Sequence, residues 1–299
     1  MKCVEVCANC GKGGSDIFKL KNCNACHLVK YCSVDCQRAH RKLHKKACKQ
    51  RAAELKDEQL YSQGHERPER DFCPICSLPI PLPTGVHSAL YECCMKRICA
   101  GCYMAVKKRG MDDCPYCRTT IPRNEADILT MIQARVGKKV PEAIHLLGDR
   151  YSRGLSRPKK DSRKAAELWT EAAELGSIEA LFQLGDAYRL GKGVEMDMAK
   201  AADFYKKAAM QGCVEARHNL GMIEAQKKNY DRAVRHFLIS AKMGYENSVE
   251  SITRMFMRGQ ATKEQYTEAL RGYQDAVEET KSTQREEAKA LMKRRGYVF

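Results

Sequence analysis

Eight metal-ligating side chains stand within the first 48 residues at a spacing that chance rarely produces: Cys7-x2-Cys10, Cys23-x2-Cys26, Cys32-x3-Cys36 and His44-x3-Cys48. Ligands two or three residues apart share one turn of backbone, so each pair can offer two donors to a single tetrahedral zinc. Four pairs fill two sites. A zinc closed by four protein ligands keeps no position for water or substrate, so metal held this way is structural. Disulfides are the competing use of cysteine. No apolar segment of the signal-peptide kind follows Met1, which favours metal and a cytoplasmic or nuclear protein rather than a secreted one. Cys36, His40, His44 and Cys48 recur every four residues, along one face of a short helix, so His40 competes with His44. We assign His44, because its spacing to Cys48 completes a tetrahedral set. His40 is read as an exposed helical residue, and His27 and Cys3 are given the same ordinary reading.

Residues 73 to 117 repeat the theme with Cys73-x2-Cys76, Cys93-Cys94, Cys99-x2-Cys102 and Cys114-x2-Cys117. Eight thiolates again suit two closed zinc sites, four ions per chain in all. The two clusters use fifteen of the 17 cysteines and leave Cys3 and Cys213, as expected of ligands rather than incidental hydrophobes. Cys93 and Cys94 are adjacent, and in extended chain neighbouring side chains point to opposite sides. Both reach one metal only through a tight turn; His87 is the substitute donor if they do not.

From about residue 141 cysteine almost vanishes and self-similarity appears at a fixed offset. Ala143-x3-Leu147-Gly148-Asp149-x-Tyr151 returns as Ala180-x3-Leu184-Gly185-Asp186-x-Tyr188, then as Ala216-x3-Leu220-Gly221. A second set, Lys164-Ala165-Ala166…Trp169…Ala172-Ala173…Gly176, returns around Tyr205 and again around Phe237. Apolar residues at i, i+3 and i+4 make each unit two helices, with glycine at their ends. Alanine and glycine let the pair approach closely, and the Trp169, Tyr205 and Phe237 series is expected in the core. No unit can bury its apolar face alone, so the units must stack. The loop of the first unit reads Gly154-Leu-Ser-Arg-Pro158 and that of the second Gly191-Lys-Gly-Val194. The third lacks the glycines and needs a shorter turn.

These patterns resemble three families. The first cluster, with Tyr31 directly before Cys32 and the spacing Cys36-x7-His44-x3-Cys48, looks like the MYND-type zinc finger. That resemblance implies a cross-brace, Cys7, Cys10, Cys32 and Cys36 on one zinc and Cys23, Cys26, His44 and Cys48 on the other. Spacing alone does not choose it over sequential pairing. The second cluster resembles a RING-type finger of the all-cysteine kind, through Cys73-Pro-Ile-Cys76 and Cys114-Pro-Tyr-Cys117-Arg118. This implies Cys73, Cys76, Cys99 and Cys102 on one zinc, with Cys93, Cys94, Cys114 and Cys117 on the other. In RING ubiquitin ligases the positions of Ile75, Tyr103, Pro115 and Arg118 contact a ubiquitin-conjugating enzyme. Leu-Gly-x2-Tyr, the glycine loop and Lys-Ala-x3-Tyr-x2-Ala-Ala resemble the Sel-one-like repeats, relatives of tetratricopeptide repeats.

The expected fold is mainly α: two small cross-braced zinc fingers followed by an α-solenoid of helix-turn-helix repeats. Its parts are a finger at 1–50, a charged linker at 51–71, a second finger at 72–122, a connecting helix at 123–140, and a repeat array with a polar cap at 141–299. The formal charge of +16 falls to about +9 once fifteen thiolates and four divalent zincs are included. The densest basic run, His40 to Arg51, has no interleaved aromatics for base stacking, so specific nucleic-acid binding is not indicated. No apolar stretch is long enough to span a membrane. No Gly-rich cofactor loop follows a strand. These features point to a zinc-binding adaptor whose partners are proteins or peptides. A ubiquitin ligase that recruits a conjugating enzyme through the second finger is the alternative.

Overall fold

The computed structural model describes residues 5–15, 19–122, 124–154 and 159–294. Cys3 and the loop residues 155–158 lie outside them. The chain divides into two compact units, Met1–Gln63 and Gly64–Phe299.

In the first unit, β1 (Lys21–Asn22) pairs antiparallel with β2 (Lys30–Tyr31), and α1 (Val34–Ser62) follows directly. Ser33 starts α1, its Oγ accepting from the Cys36 amide at 3.2 Å, with Asp35 in the first turn where the helix dipole favours an anion. Among the described residues its buried apolar cluster is small: Cys7, Cys23, Cys26 and Tyr31, with half-buried neighbours. So small an apolar core cannot hold a fold by itself. The charged stretch 51–71, read as a short helical extension and then linker, divides in two. Residues 51–62 continue α1, helped by Arg51 pairing with Glu54 at 3.1 Å and Glu58 at 2.7 Å, and residues 64–71 belong to the second unit.

The second unit opens with an extended segment held against the array. Arg70 pairs with Glu179 at 2.5 Å, Arg67 donates to the Ile80 carbonyl at 2.6 Å, and a Cβ at Gly212 would come within 2.2 Å of the Glu66 carbonyl oxygen. A short 3-10 turn (Glu69–Asp71) leads to the hairpin of β3 (Ser88–Tyr91) and β4 (Lys96–Cys99), which runs into α2 (Ala100–Lys108). Helix α3 (Glu125–Val136) then joins two cores. Ile128, Leu129 and Ile132 pack with Ile144, Leu147 and Trp169 of the first repeat, while Met131 packs against Ile80, Tyr91 and Ile98 beneath the second finger.

The array pairs α4 (Pro141–Arg153) with α5 (Ser162–Glu174), α6 (Ile178–Leu190) with α7 (Met198–Met210), and α8 (Val214–Gln226) with α9 (Tyr230–Lys242). A fourth pair is α10 (Glu246–Met257) with α11 (Lys263–Glu279). Residues 191–197 connect α6 to α7 through Gly191 at φ 65°, whereas residues 227–229 suffice between α8 and α9, the shorter turn expected there. Each aromatic of the repeat-locked series lies over a helical glycine: a Cβ at Gly148, Gly185 or Gly221 would meet Trp169, Tyr205 or Phe237 at 2.7, 2.5 and 2.6 Å. The polar tips have partners. Trp169 Nε1 donates to Asp149 at 3.2 Å and Tyr205 OH to Asp186 at 2.6 Å. Phe237 has no polar tip, and Met222 stands where the third repeat would carry the aspartate. The last helix is α12 (Thr283–Arg294). It packs on α2 of the second finger, burying Arg285 and Ala288.

His236 in α9 is buried, and that burial, reinforced by the charges of Arg217, Arg232 and Lys206, pushes its imidazole down to about 3. The unfolded chain protonates near 6.5, so between these values the unfolded state binds more protons and stability falls as pH falls. In denaturant unfolding of the array at pH 5, His236 should therefore contribute a loss on the order of 2 kcal/mol relative to neutral pH, with half-buried His218, pushed down to about 4 by its burial, adding to the same slope. His236→Gln should remove its own part of the slope. An unchanged slope in the variant counts against it.

Candidate metal centres

Four of the five Cys-x2-Cys pairs sit in the same backbone turn, Cys99 and Cys102 being held by α2 instead. The residue following the second cysteine donates its amide to the carbonyl of the first: Gly11 to Cys7, His27 to Cys23, Ser77 to Cys73 and Arg118 to Cys114, at 2.7 to 3.0 Å. All four donors have left-handed backbone, with φ of 74°, 54°, 57° and 57°. The turn aims both sulfurs the same way. Only Gly11 signals this geometry in the sequence.

Helices and the hairpin supply the remaining ligands. His44 and Cys48 lie one turn apart on α1, and Cys36 lies in its first turn. Cys99 caps α2, its Sγ accepting from the Cys102 amide at 3.4 Å, so both thiolates sit at the positive end of a helix. Cys93 and Cys94 fall in the turn between β3 and β4, closed by Met95 at φ 56°. This is the tight turn that adjacent ligands require.

The donors gather into four quartets, each with its ligand atoms within 4.8 Å of one another: Cys7, Cys10, Cys32 and Cys36; Cys23, Cys26, His44 and Cys48; Cys73, Cys76, Cys99 and Cys102; Cys93, Cys94, Cys114 and Cys117. The pairing is crossed in both fingers rather than sequential. His87 is in none of the quartets. It lines a cavity with Arg285 and Lys289, where burial and those two cations lower its pKa. The shortest sulfur–sulfur contacts run from 3.3 Å (Cys93 to Cys117) to 3.8 Å (Cys76 to Cys99). Four sulfurs at 2.3 Å from a zinc stand about 3.8 Å apart, whereas a disulfide needs about 2.05 Å. His44 turns Nε2 toward Cys26 Sγ at 3.1 Å.

Thiols this close cannot ionise together without a cation, and they split accordingly. A hydrogen bond from Cys99, outweighing burial, brings Cys73 down to about 4, while burial and the charge of Cys73 push Cys102 up to about 12. Burial raises Cys7, but the backbone amides of Cys10, Cys32 and Asn9 overcome it and bring that thiol to about 6. Cys32 donates to Cys36 Sγ at 3.4 Å, and that bond together with its contact to Cys10 pushes its thiol up to about 12. A divalent ion at the centre of each quartet removes the conflict by favouring every thiolate. The donor sets therefore fit four zinc ions.

His40 is not the exposed residue expected. Its Nδ1 lies 3.1 Å from the Tyr31 hydroxyl, and its ring stacks on His44 with centroids 5.8 Å apart. It buttresses a ligand without being one. At the second finger, Ile75 is 46% exposed and Arg118 exposed, with Tyr103 and Pro115 half-buried.

Residues 7–48 match the family model of the MYND finger, and residues 141–177, 178–213 and 214–245 each match that of the Sel1 repeat. The chain carries a MYND finger and three Sel1 repeats. Among solved structures it is similar to a Sel1 repeat protein from Oxalobacter formigenes, with 22% identity over 60% of this chain and 71% of that one and a TM-score of 0.47. It is also similar to a protective antigen of uropathogenic Escherichia coli strains displaying an SLR fold, at 24% identity and a TM-score of 0.47, covering 62% of this chain and 38% of that one. A third similarity, to the cysteine-rich protein B of Helicobacter pylori, has 28% identity over 31% of this chain and 69% of that one, with a TM-score of 0.30. Among the described residues no helix is long and apolar enough to cross a membrane. MYND finger and Sel1 repeats together make this a zinc-binding protein built for protein–protein interaction.

Proposed function

We propose that the protein is an adaptor of the cytoplasm or nucleus, in which the MYND finger takes short proline-containing peptides and the repeat unit takes a second protein. The closure of all four quartets supports this reading. Each provides four protein donors, so bound zinc offers surfaces and rigidity rather than a reactive position. Two separately folded units on one chain also multiply weak affinities, since the second contact forms at the effective concentration set by the first. Fluorescence anisotropy of a panel of proline-containing peptides against the full chain tests it. Binding should appear for a subset of peptides and be lost on Cys23→Ser, which opens a MYND quartet. Equal binding by wild type and variant defeats the assignment.

A second reading, a RING-type ubiquitin ligase, is favoured by exposed Ile75 and Arg118 beside two knuckles of the same geometry. No side chain acts as nucleophile in that reading; catalysis is orientation of a thioester carried by the conjugating enzyme. Self-ubiquitylation with several conjugating enzymes, comparing wild type with Ile75→Ala and Arg118→Ala, separates the two. Chain formation lost in both variants establishes the ligase. A wild type that forms no chains leaves the adaptor.

A further inference from the structure

Helix α12 places one arginine against the second finger. Arg285 is 7% exposed and lies more than 200 residues along the chain from the finger residues it meets. Its Nη1 donates to the Pro79 carbonyl at 2.5 Å and the Thr280 carbonyl at 2.7 Å. Its Nη2 donates to the Leu78 carbonyl at 3.2 Å and to Cys76 Sγ at 3.4 Å. Leu78 is itself part of the knuckle, because its carbonyl accepts the Cys73 amide at 2.9 Å. The guanidinium thus grips both the backbone that aims Cys73 and Cys76 and one of the sulfurs. The rest of α12 is fitted to the same finger. A Cβ at Gly101, between Cys99 and Cys102, would come within 2.9 Å of the Arg285 amide nitrogen, and Lys108 pairs with Glu287 at 2.8 Å.

We infer that Arg285 is a positioning residue of the zinc centre formed by Cys73, Cys76, Cys99 and Cys102, and that α12 docking and occupancy of that centre are coupled. The inference rests on the zinc reading of the quartets. A zinc held by four thiolates carries a net charge of about −2, which a buried guanidinium partly offsets while its fixed fork holds the knuckle in register. Neutral lining could not offset that charge. The coupling is reciprocal: whatever α12 adds to metal affinity, metal adds to α12 docking.

The test uses the full-length, zinc-loaded protein and a chromophoric zinc chelator that reads each ion as it leaves. Groups that hold metal ligands in place contribute roughly 10–100-fold to metal affinity. Arg285→Met should therefore release one of four ions 10–100-fold faster and leave the other three unchanged. Ala288→Glu, which puts a charge into the buried face of α12 without altering a ligand, should do the same while retaining the arginine. Glu287→Ala, which breaks only an exposed ion pair, should match wild type. Hydrogen exchange should show α12 losing protection as that first ion departs. Wild-type release rates in both Arg285→Met and Ala288→Glu, or acceleration spread over all four ions, overturn the coupling alone. A wild type that carries only two ions overturns the zinc reading of the second finger and this inference with it.

Discussion

Exhaustive chelation should remove four zinc ions per chain by elemental analysis and unfold the MYND finger outright. Its buried set is little more than Cys7, Cys23, Cys26 and Tyr31, three of them ligands, so without metal almost nothing remains to be buried. Zinc binding in finger peptides is worth about 10–16 kcal/mol, and in a domain this small that is folding free energy. Hydrogen exchange should show residues 5–48 lose all protection. The second finger should behave differently, because it has Ile80, Tyr91 and Ile98 at its centre and shares Met131 with α3. Its loss should spread into the array. Met95 packs with the core of the first repeat, so α3 and α4 should exchange faster while α8 to α10 keep their protection. Persistent protection of residues 5–48 after complete removal of the metal would overturn the structural role assigned to zinc.

The ligands could be read from the sequence because coordination geometry acts over two or three residues and leaves a fixed spacing. The repeats could be read for a similar reason: each aromatic needs a glycine beneath it, so Gly148, Gly185 and Gly221 keep step with Trp169, Tyr205 and Phe237. Asp149 and Asp186 as acceptors for the polar tips were also written there, since the aspartate disappears where the aromatic becomes Phe237. Other features had no local signal. His27, Ser77 and Arg118 adopt left-handed backbone because the knuckle demands it, and none is a residue type that announces it. His40 follows the same four-residue helical spacing as a ligand, and only the Tyr31 hydroxyl shows its role. The docking of α12 on the second finger is set by contacts between Arg285 and carbonyls far away in the chain, which no periodicity records. The same holds for residues 64–71, whose charge suggested a solvated linker but whose Arg67 and Arg70 are used to hold the finger on the array.

Truncating Phe237 should be among the most damaging single changes in the array. The ring is 1% exposed and packs among Ala233, Val234, Ile252 and Met255. Removing it costs the transfer energy of the ring plus that of the cavity left behind, about 3–5 kcal/mol. The more telling experiment is the cycle with Gly221. Alanine is favoured over glycine inside a helix by about 1 kcal/mol. In the wild type, however, the new Cβ would lie 2.6 Å from Phe237 Cε1, and overpacking of this kind costs about 1–3 kcal/mol. Gly221→Ala should therefore destabilise the wild-type array. In the Phe237→Ala background the obstruction is gone, and the same substitution should stabilise by up to about 1 kcal/mol through helix propensity and partial filling of the cavity. The sign reverses, giving a coupling energy of about 1–3 kcal/mol by denaturant unfolding at neutral pH. Strictly additive effects would mean that ring and glycine do not share one space, and the account of the repeat given by Trp169 over Gly148 and Tyr205 over Gly185 would fail with it.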